Sequence, residues 1–204
     1  KVGGRRAVFD KAVGMMKSLD IEAFDLSDEP ESVRASFGAT DFGRACLVAS
    51  RLVSKGVRFV EVVLDGWDTH QDNFERTKKL MAQLDPAMTA LVRDLELRGL
   101  LGKTIVAWMG DFGRTPRINA NDGRDHFPAA WTAVLAGGGV RPGVVVGETD
   151  GNGEKVVKDP VSVPNLMATF AALLGLNPGE TVMSPIGRPI SMTDNGVAVR
   201  ALTG

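Results

Sequence analysis

Cysteine, histidine and charge of one sign are all scarce in this chain, and each shortage removes a class of explanation. One cysteine, Cys46, stands among 204 residues, so no internal disulfide can form and the framework must rest on core packing. Cys46 lies between Ala45 and Leu47 in a run of helical spacing and reads as an inert, buried thiol rather than a nucleophile. The formal net charge is −1, with 24 basic and 25 acidic side chains mixed along the chain. No basic stripe marks a nucleic-acid surface, and no acidic tail marks a solvating segment. No apolar run reaches the roughly 18 residues that a membrane span needs. The opening residues, Lys1 to Arg6, are basic but lack the apolar core of a signal peptide. The chain starts without methionine and is expected to be the C-terminal part of a longer protein.

What is present is enough apolar residue, 44%, for a sizeable core. A helix is expected over residues 5–18, with Val8, Ala12, Met15 and Met16 on one side. Residues 19–40 read as irregular, with Asp28-Glu29-Pro30-Glu31 opening a short helix. Thr40 or Asp41 caps a helix that carries Phe42, Ala45, Cys46, Ala49, Leu52 and Val53, and Gly56 stops it. Val57 to Leu64, VRFVEVVL, predicts a buried strand ending at Asp65-Gly66. Residues 72–98 predict a helix with Leu80, Leu84, Met88, Leu91 and Leu95 in one stripe. Pro86 either kinks it or, behind an Asp85 cap, starts a second helix.

Thr104 to Met109 and Trp131 to Ala136 predict two further strands, the latter broken by Gly137-Gly138-Gly139. Val144 to Gly147 predicts a short strand near an edge. Residues 161–175 predict a last helix with Leu166, Phe170, Leu173 and Leu174 inward, and the tail from Asn177 reads as irregular. Strand, helix, strand is the unit of parallel sheets. The expectation is therefore one α/β domain over 1–204, with a mostly parallel central sheet between helices. It divides into a lead-in over 1–40, a core over 41–176 and a tail over 177–204.

Three loops follow predicted strands: Asp65-Gly66-Trp67-Asp68-Thr69-His70, Gly110 to Pro116, and Gly123-Arg124-Asp125-His126-Phe127-Pro128. In open α/β sheets ligands bind beyond the carboxyl ends of the strands, so these loops are expected to converge. His70 and His126 are the only histidines, and each stands beside an aspartate in such a loop. Carboxylate oxygens and imidazole nitrogens together suit a divalent cation such as zinc, manganese, iron or calcium. The candidate ligands are Asp68, His70, Asp111, Asp125 and His126. The bland alternative is a pair of hydrogen-bonded turns. Arg114 and Arg124 flank them and suit bidentate capture of phosphate or sulfate oxygens; otherwise they order the loop by pairing with Asp122 or Asp125. Trp67, Phe112 and Phe127 read as core or pocket wall, and Asn119 and Asn121 as turn residues.

The stretches FGRACLVASRLVSKGVRFVEV, GWDTHQDNFE, VAWMGDFGRTPRINANDGRDHFP, VLAGGGVRPG and SPIGRPI resemble the domain-of-unknown-function family DUF1501. That family is a sulfatase-like group of exported bacterial proteins in the alkaline-phosphatase-like superfamily. The resemblance implies an alkaline-phosphatase-like fold and a divalent-metal site. It implies a small-molecule or polysaccharide phosphate or sulfate ester as substrate, and a periplasmic or extracellular location. Asp68 (or Asp65) and His70 match one ligand pair, His126 a later ligand, and Asp111 a ligand of a second metal.

Two departures stand out. Phe112 follows Asp111 where better-known members carry histidine, which weakens the second site or shifts it toward Asp125. The strand bearing the nucleophile has no counterpart here. Thr69 is the only hydroxyl within a metal motif, and the nucleophile is expected from outside this chain. The implied activity is hydrolysis or transfer at phosphate or sulfate esters, with Arg114 and Arg124 offsetting charge on the ester oxygens. The rival readings are a metal-stabilised binding domain without turnover and an interaction module that holds no metal.

Overall fold

The computed structural model of the chain describes residues 4, 6, 8–10, 13, 14 and 19–203. The helix expected over 5–18 falls largely outside the described residues, and those described there are helical. The chain divides into two compact units. One comprises residues 1–67 and 77–98, the other 68–76 and 99–204.

In the first unit a short 3-10 helix, Leu19–Phe24, precedes helices α1 (Glu31–Ser36) and α2 (Asp41–Ser54). Thr40 is the cap of α2: the Gly43 N–H donates to its Oγ1 at 3.0 Å. Such a cap is worth about 1 kcal/mol. Helix α3 spans Asn73–Leu97 and runs through Pro86 as one element. Proline supplies no N–H to the carbonyl one turn back, so one helical bond is missing there. Burial on both sides of the proline outweighs that loss, because Leu84, Ala87, Ala90 and Leu95 are all nearly inaccessible. Leu84, Ala87 and Ala90 close a core with Phe37, Phe42, Cys46 and Leu47.

Val57 to Leu64 is not a strand. Val62 and Leu64 rest on this core, while Phe59 and Val63 stay 82% and 65% exposed. A β-prone segment needs a partner to form a ladder, and none pairs with it among the described residues.

The second unit holds every strand among the described residues. They are β1 (Ile105–Trp108), β2 (Gly113–Arg114), β3 (His126–Phe127), β4 (Val134–Gly137), β5 (Glu148–Thr149), β6 (Val156–Lys158), β7 (Thr181–Met183) and β8 (Pro189–Ser191). They pair as β1 with β4, β2 with β3, β5 with β6 and β7 with β8, all antiparallel. This overturns the expected alkaline-phosphatase-like α/β fold with its mostly parallel central sheet. The described strands form only two-stranded antiparallel pairs. The physical reason is local: with Val57 to Leu64 unpaired, the helix that follows completes no parallel crossover.

Ile105 instead faces Gly137 across an antiparallel register. The glycine triplet does more than end a strand. A Cβ on Gly137 would lie 2.3 Å from the Thr104 carbonyl oxygen, and one on Gly138 2.4 Å from Ile105 Cγ1. Only glycine lets the chain close there.

Smaller corrections follow. The strand expected over 131–136 begins at Val134. Val144 to Gly147 is irregular, and pairing starts one residue later, at β5. The tail forms the β7–β8 hairpin. Helix α4 (Val163–Leu173) is capped by Ser162, whose Oγ accepts from the Asn165 N–H, and it buries Leu166, whereas Leu174 is 63% exposed. Among the described residues no helix is long and apolar enough to cross a membrane.

Candidate metal centre

The site lies wholly in the second unit and is built from loops clasped against one another and from the short β2–β3 pair, not from the carboxyl ends of a parallel sheet. Residues 69–73 are zipped to 119–124 by backbone. Asp72 N–H donates to the Asn121 carbonyl (3.1 Å), Asn73 N–H to the Asp122 carbonyl (2.9 Å), and Arg124 N–H to the Thr69 carbonyl (3.0 Å). Asp72 and Asp122 both take positive φ, 50° and 53°, where the short polar side chain of aspartate is tolerated.

Asn119 is the hub. Its Nδ2 donates to the His70 carbonyl and to Asp125 Oδ1, both at 3.0 Å. Its Oδ1 accepts from the N–H groups of Asn121 and Gly123. A Cβ on Gly123 would stand 1.9 Å from the His70 carbonyl oxygen, so the clasp requires glycine.

The strand pair β2–β3 supplies the other half. Arg114 lies directly opposite His126. Residues opposite in an antiparallel pair project from the same face. Both converge on one atom, Asp68 Oδ1. Arg114 Nη2 donates to it at 2.5 Å, His126 Nε2 lies at 3.1 Å and His70 Nδ1 at 2.9 Å. The two imidazole centroids are 4.7 Å apart. Hydrogen bonds from Arg114 first, and from His126 next, hold the Asp68 carboxyl down at about 2. It is therefore ionised throughout the neutral range.

Residues 1–203 match the family model DUF1501, described as a protein of unknown function. The chain belongs to the DUF1501 family. No curated protein and no solved structure matches it.

In this DUF1501 chain the residues singled out by sequence separate into a cluster and its surroundings. Asp68, His70 and His126 each offer a ligand atom, and these atoms lie within 4.8 Å of one another. Ligands of one tetrahedral cation with bonds of about 2.0–2.2 Å sit roughly 3.3–3.6 Å apart. The 2.9 and 3.1 Å separations to Asp68 Oδ1 fall just short of that spacing, and the donor chemistry fits a divalent cation.

Asp125 stands on the far side of His70, with Oδ1 3.9 Å from Nε2. That is beyond hydrogen-bond distance, and Asp125 is not one of the three residues whose ligand atoms cluster. Asp111 is outside the three-residue cluster and is exposed; its Oδ1 accepts its neighbour's N–H, that of Phe112. The Phe112 ring packs on His126 at 4.4 Å and lies 5.9 Å beneath the Arg114 guanidinium. Arg124 spends Nη1 on the carbonyls of Thr115 and Pro116, which orders the loop through backbone rather than through Asp122 or Asp125. Thr69 is buried and donates to Asn73 Oδ1 at 2.7 Å, so its hydroxyl is committed.

Asn119 is the turn residue its sequence predicts, and it also reaches the distant His70 carbonyl, while Gly123 carries a role that its motif does not announce. The spacing Asn119-x-Asn121-x-Gly123 was the available signal. It marks a side chain folding back on its own loop, though it does not say which distant carbonyl the same amide would reach.

Proposed function

We propose that this DUF1501 chain binds a divalent cation through Asp68, His70 and His126 and contributes that centre to hydrolysis or transfer at a phosphate or sulfate ester. The observation that carries the reading is the convergence of both histidines and Arg114 on one carboxylate oxygen. A bound cation would supply Lewis-acid polarisation of an ester oxygen. The chain's own residues do the rest. His70 and His126 bind as neutral imidazoles, with the His70 backbone carbonyl held by Asn119. Arg114, whose side chain is 21% exposed, is the guanidinium placed to hold the non-bridging oxygens. Phe112 packs against the His126 ring, which stays half exposed.

The motifs GWDTH, GDFGRTP and GRDHFP resemble those of sulfatase-like proteins. That resemblance supports a location outside the cytoplasm and an ester carried on a small molecule or a polysaccharide. A second reading, a metal-stabilised binding domain without turnover, is favoured by Thr69, whose buried hydroxyl serves the loop and cannot attack an ester.

Calorimetric titration of chelator-treated protein with zinc, manganese and calcium tests the centre. One cation per chain, lost in His126→Ala, is expected. Turnover of generic aryl phosphates or sulfates by the loaded protein then separates the two readings. Absence of saturable binding for all three cations overturns both.

A further inference from the structure

Arg114 is placed where it cannot do two things at once. Its Nη2 donates to Asp68 Oδ1 at 2.5 Å and its Nη1 to the Arg124 carbonyl at 3.2 Å. The same Asp68 oxygen is approached by both histidines. An oxygen of a carboxylate has about two lone pairs to offer, and three nitrogens crowd it. A cation drawn to that oxygen would turn both imidazoles from its neighbours into ligands and would repel the guanidinium. The main competitor for Arg114 is then gone, while the Phe112 ring beneath it remains as a resting surface.

We infer that Asp68 keeps Arg114 from taking oxyanions until a divalent cation claims the carboxylate, so that a phosphate or sulfate group is admitted only after the cation. The inference rests on the metal-binding reading above for the displacing ion. Its masking half stands on geometry alone. Before the cation arrives, the carboxylate repels an approaching anion and occupies the fork that would bind it. Afterwards the local charge is reversed and the Nη2 arm is free, while Nη1 stays on the Arg124 carbonyl. The order protects the ester site from filling with bulk phosphate or sulfate while it is incomplete.

The masking half is tested without any metal, by titrating inorganic phosphate into chelator-treated protein. Wild type and Arg114→Gln are expected to bind equally weakly, because Arg114 is already engaged. Asp68→Asn should bind phosphate about tenfold tighter or more. The gain should vanish in Asp68→Asn/Arg114→Gln, which shares the lost carboxylate charge and lacks only the guanidinium. No gain in Asp68→Asn, a gain that survives in the double variant, or weaker binding by Arg114→Gln than by wild type would each overturn masking.

Should Asp68→Asn fail to fold, the wild type carries the test. Exchange of the Arg114 guanidinium protons, followed by NMR, should be slow in metal-free protein and speed up on adding zinc. Zinc that binds and leaves that exchange unchanged refutes the release. Failure of zinc to bind at all sinks the metal-binding reading instead, and the phosphate titrations still decide masking.

Discussion

Arg114 and His126 face one another across the β2–β3 pair, and both reach Asp68 Oδ1, at 2.5 and 3.1 Å. A cation bound there, as proposed, would compete with Arg114 for one oxygen, and the first consequences concern the histidine.

Removing His126 should separate metal from fold. Its side chain is half exposed and pairs only with groups that are also exposed or partly so. In metal-free protein His126→Ala should change stability by no more than about 0.5 kcal/mol. Added zinc should raise the melting temperature of wild type by mass action, and the variant should gain little of that rise. A variant that melts with the full zinc-dependent increase would remove His126 from the ligand set.

The acid limb of stability should report on Asp68. Its folded carboxyl lies at about 2, below the ordinary 3.8, chiefly through Arg114. A group depressed on folding favours the folded state above its unfolded value. That contribution is therefore present above about 3.8 and drains away as pH falls toward about 2. In Arg114→Gln the carboxyl should titrate closer to 3.8, as followed by carbon NMR on metal-free protein. An unmoved titration would mean that the 2.5 Å contact does not persist in solution.

Gly123→Ala should damage fold and site together. The new Cβ would meet the His70 carbonyl oxygen at 1.9 Å, and backbone cannot swing aside as a side chain can. Overpacking of this kind costs about 1–3 kcal/mol or more. Urea unfolding should show that loss, and zinc titration of the same sample should show weakened binding, because His70 is displaced with its carbonyl.

Cys46 should be chemically silent. It is 1% exposed, and burial pushes its thiol up to about 11. Little thiolate exists at pH 8, and reagent has no path to it. Thiol-specific labelling should be negligible in native protein and should reach one equivalent in denaturant. Rapid labelling of native protein would mean that the α2–α3 core opens readily.

Helix was the most legible feature of the chain. Thr40 ahead of an apolar stripe, and the leucines at 80, 84, 91 and 95, state their helices locally, because capping and periodicity act within a few residues. Pro86 left two outcomes open, and only the shared core of Leu84 and Ala87 settled on one continuous helix. Strand was legible as tendency and not as pairing. Val57 to Leu64 has the composition of a buried strand, yet it lies unpaired with Phe59 in solvent. The β7–β8 hairpin went unread because a Pro- and Gly-rich tail hides short strands behind turn residues.

For the candidate centre, the residue types Asp, His and Arg, and the scarcity of histidine, were all present in the sequence by itself. So were the two motifs that put each imidazole beside a carboxylate. Which carboxylate meets both rings was decided by tertiary structure. Asp68 is 58 residues from His126 and is brought to it by the clasp of 69–73 on 119–124. Asp125 adjoins His126 in sequence, yet its oxygen turns toward the outer nitrogen of His70, and Asp111 is left outside the cluster. Local sequence sets what a side chain can donate. Which neighbour receives it depends on long-range backbone bonds and on the absence of a single Cβ at Gly123, and no short window of sequence encodes either.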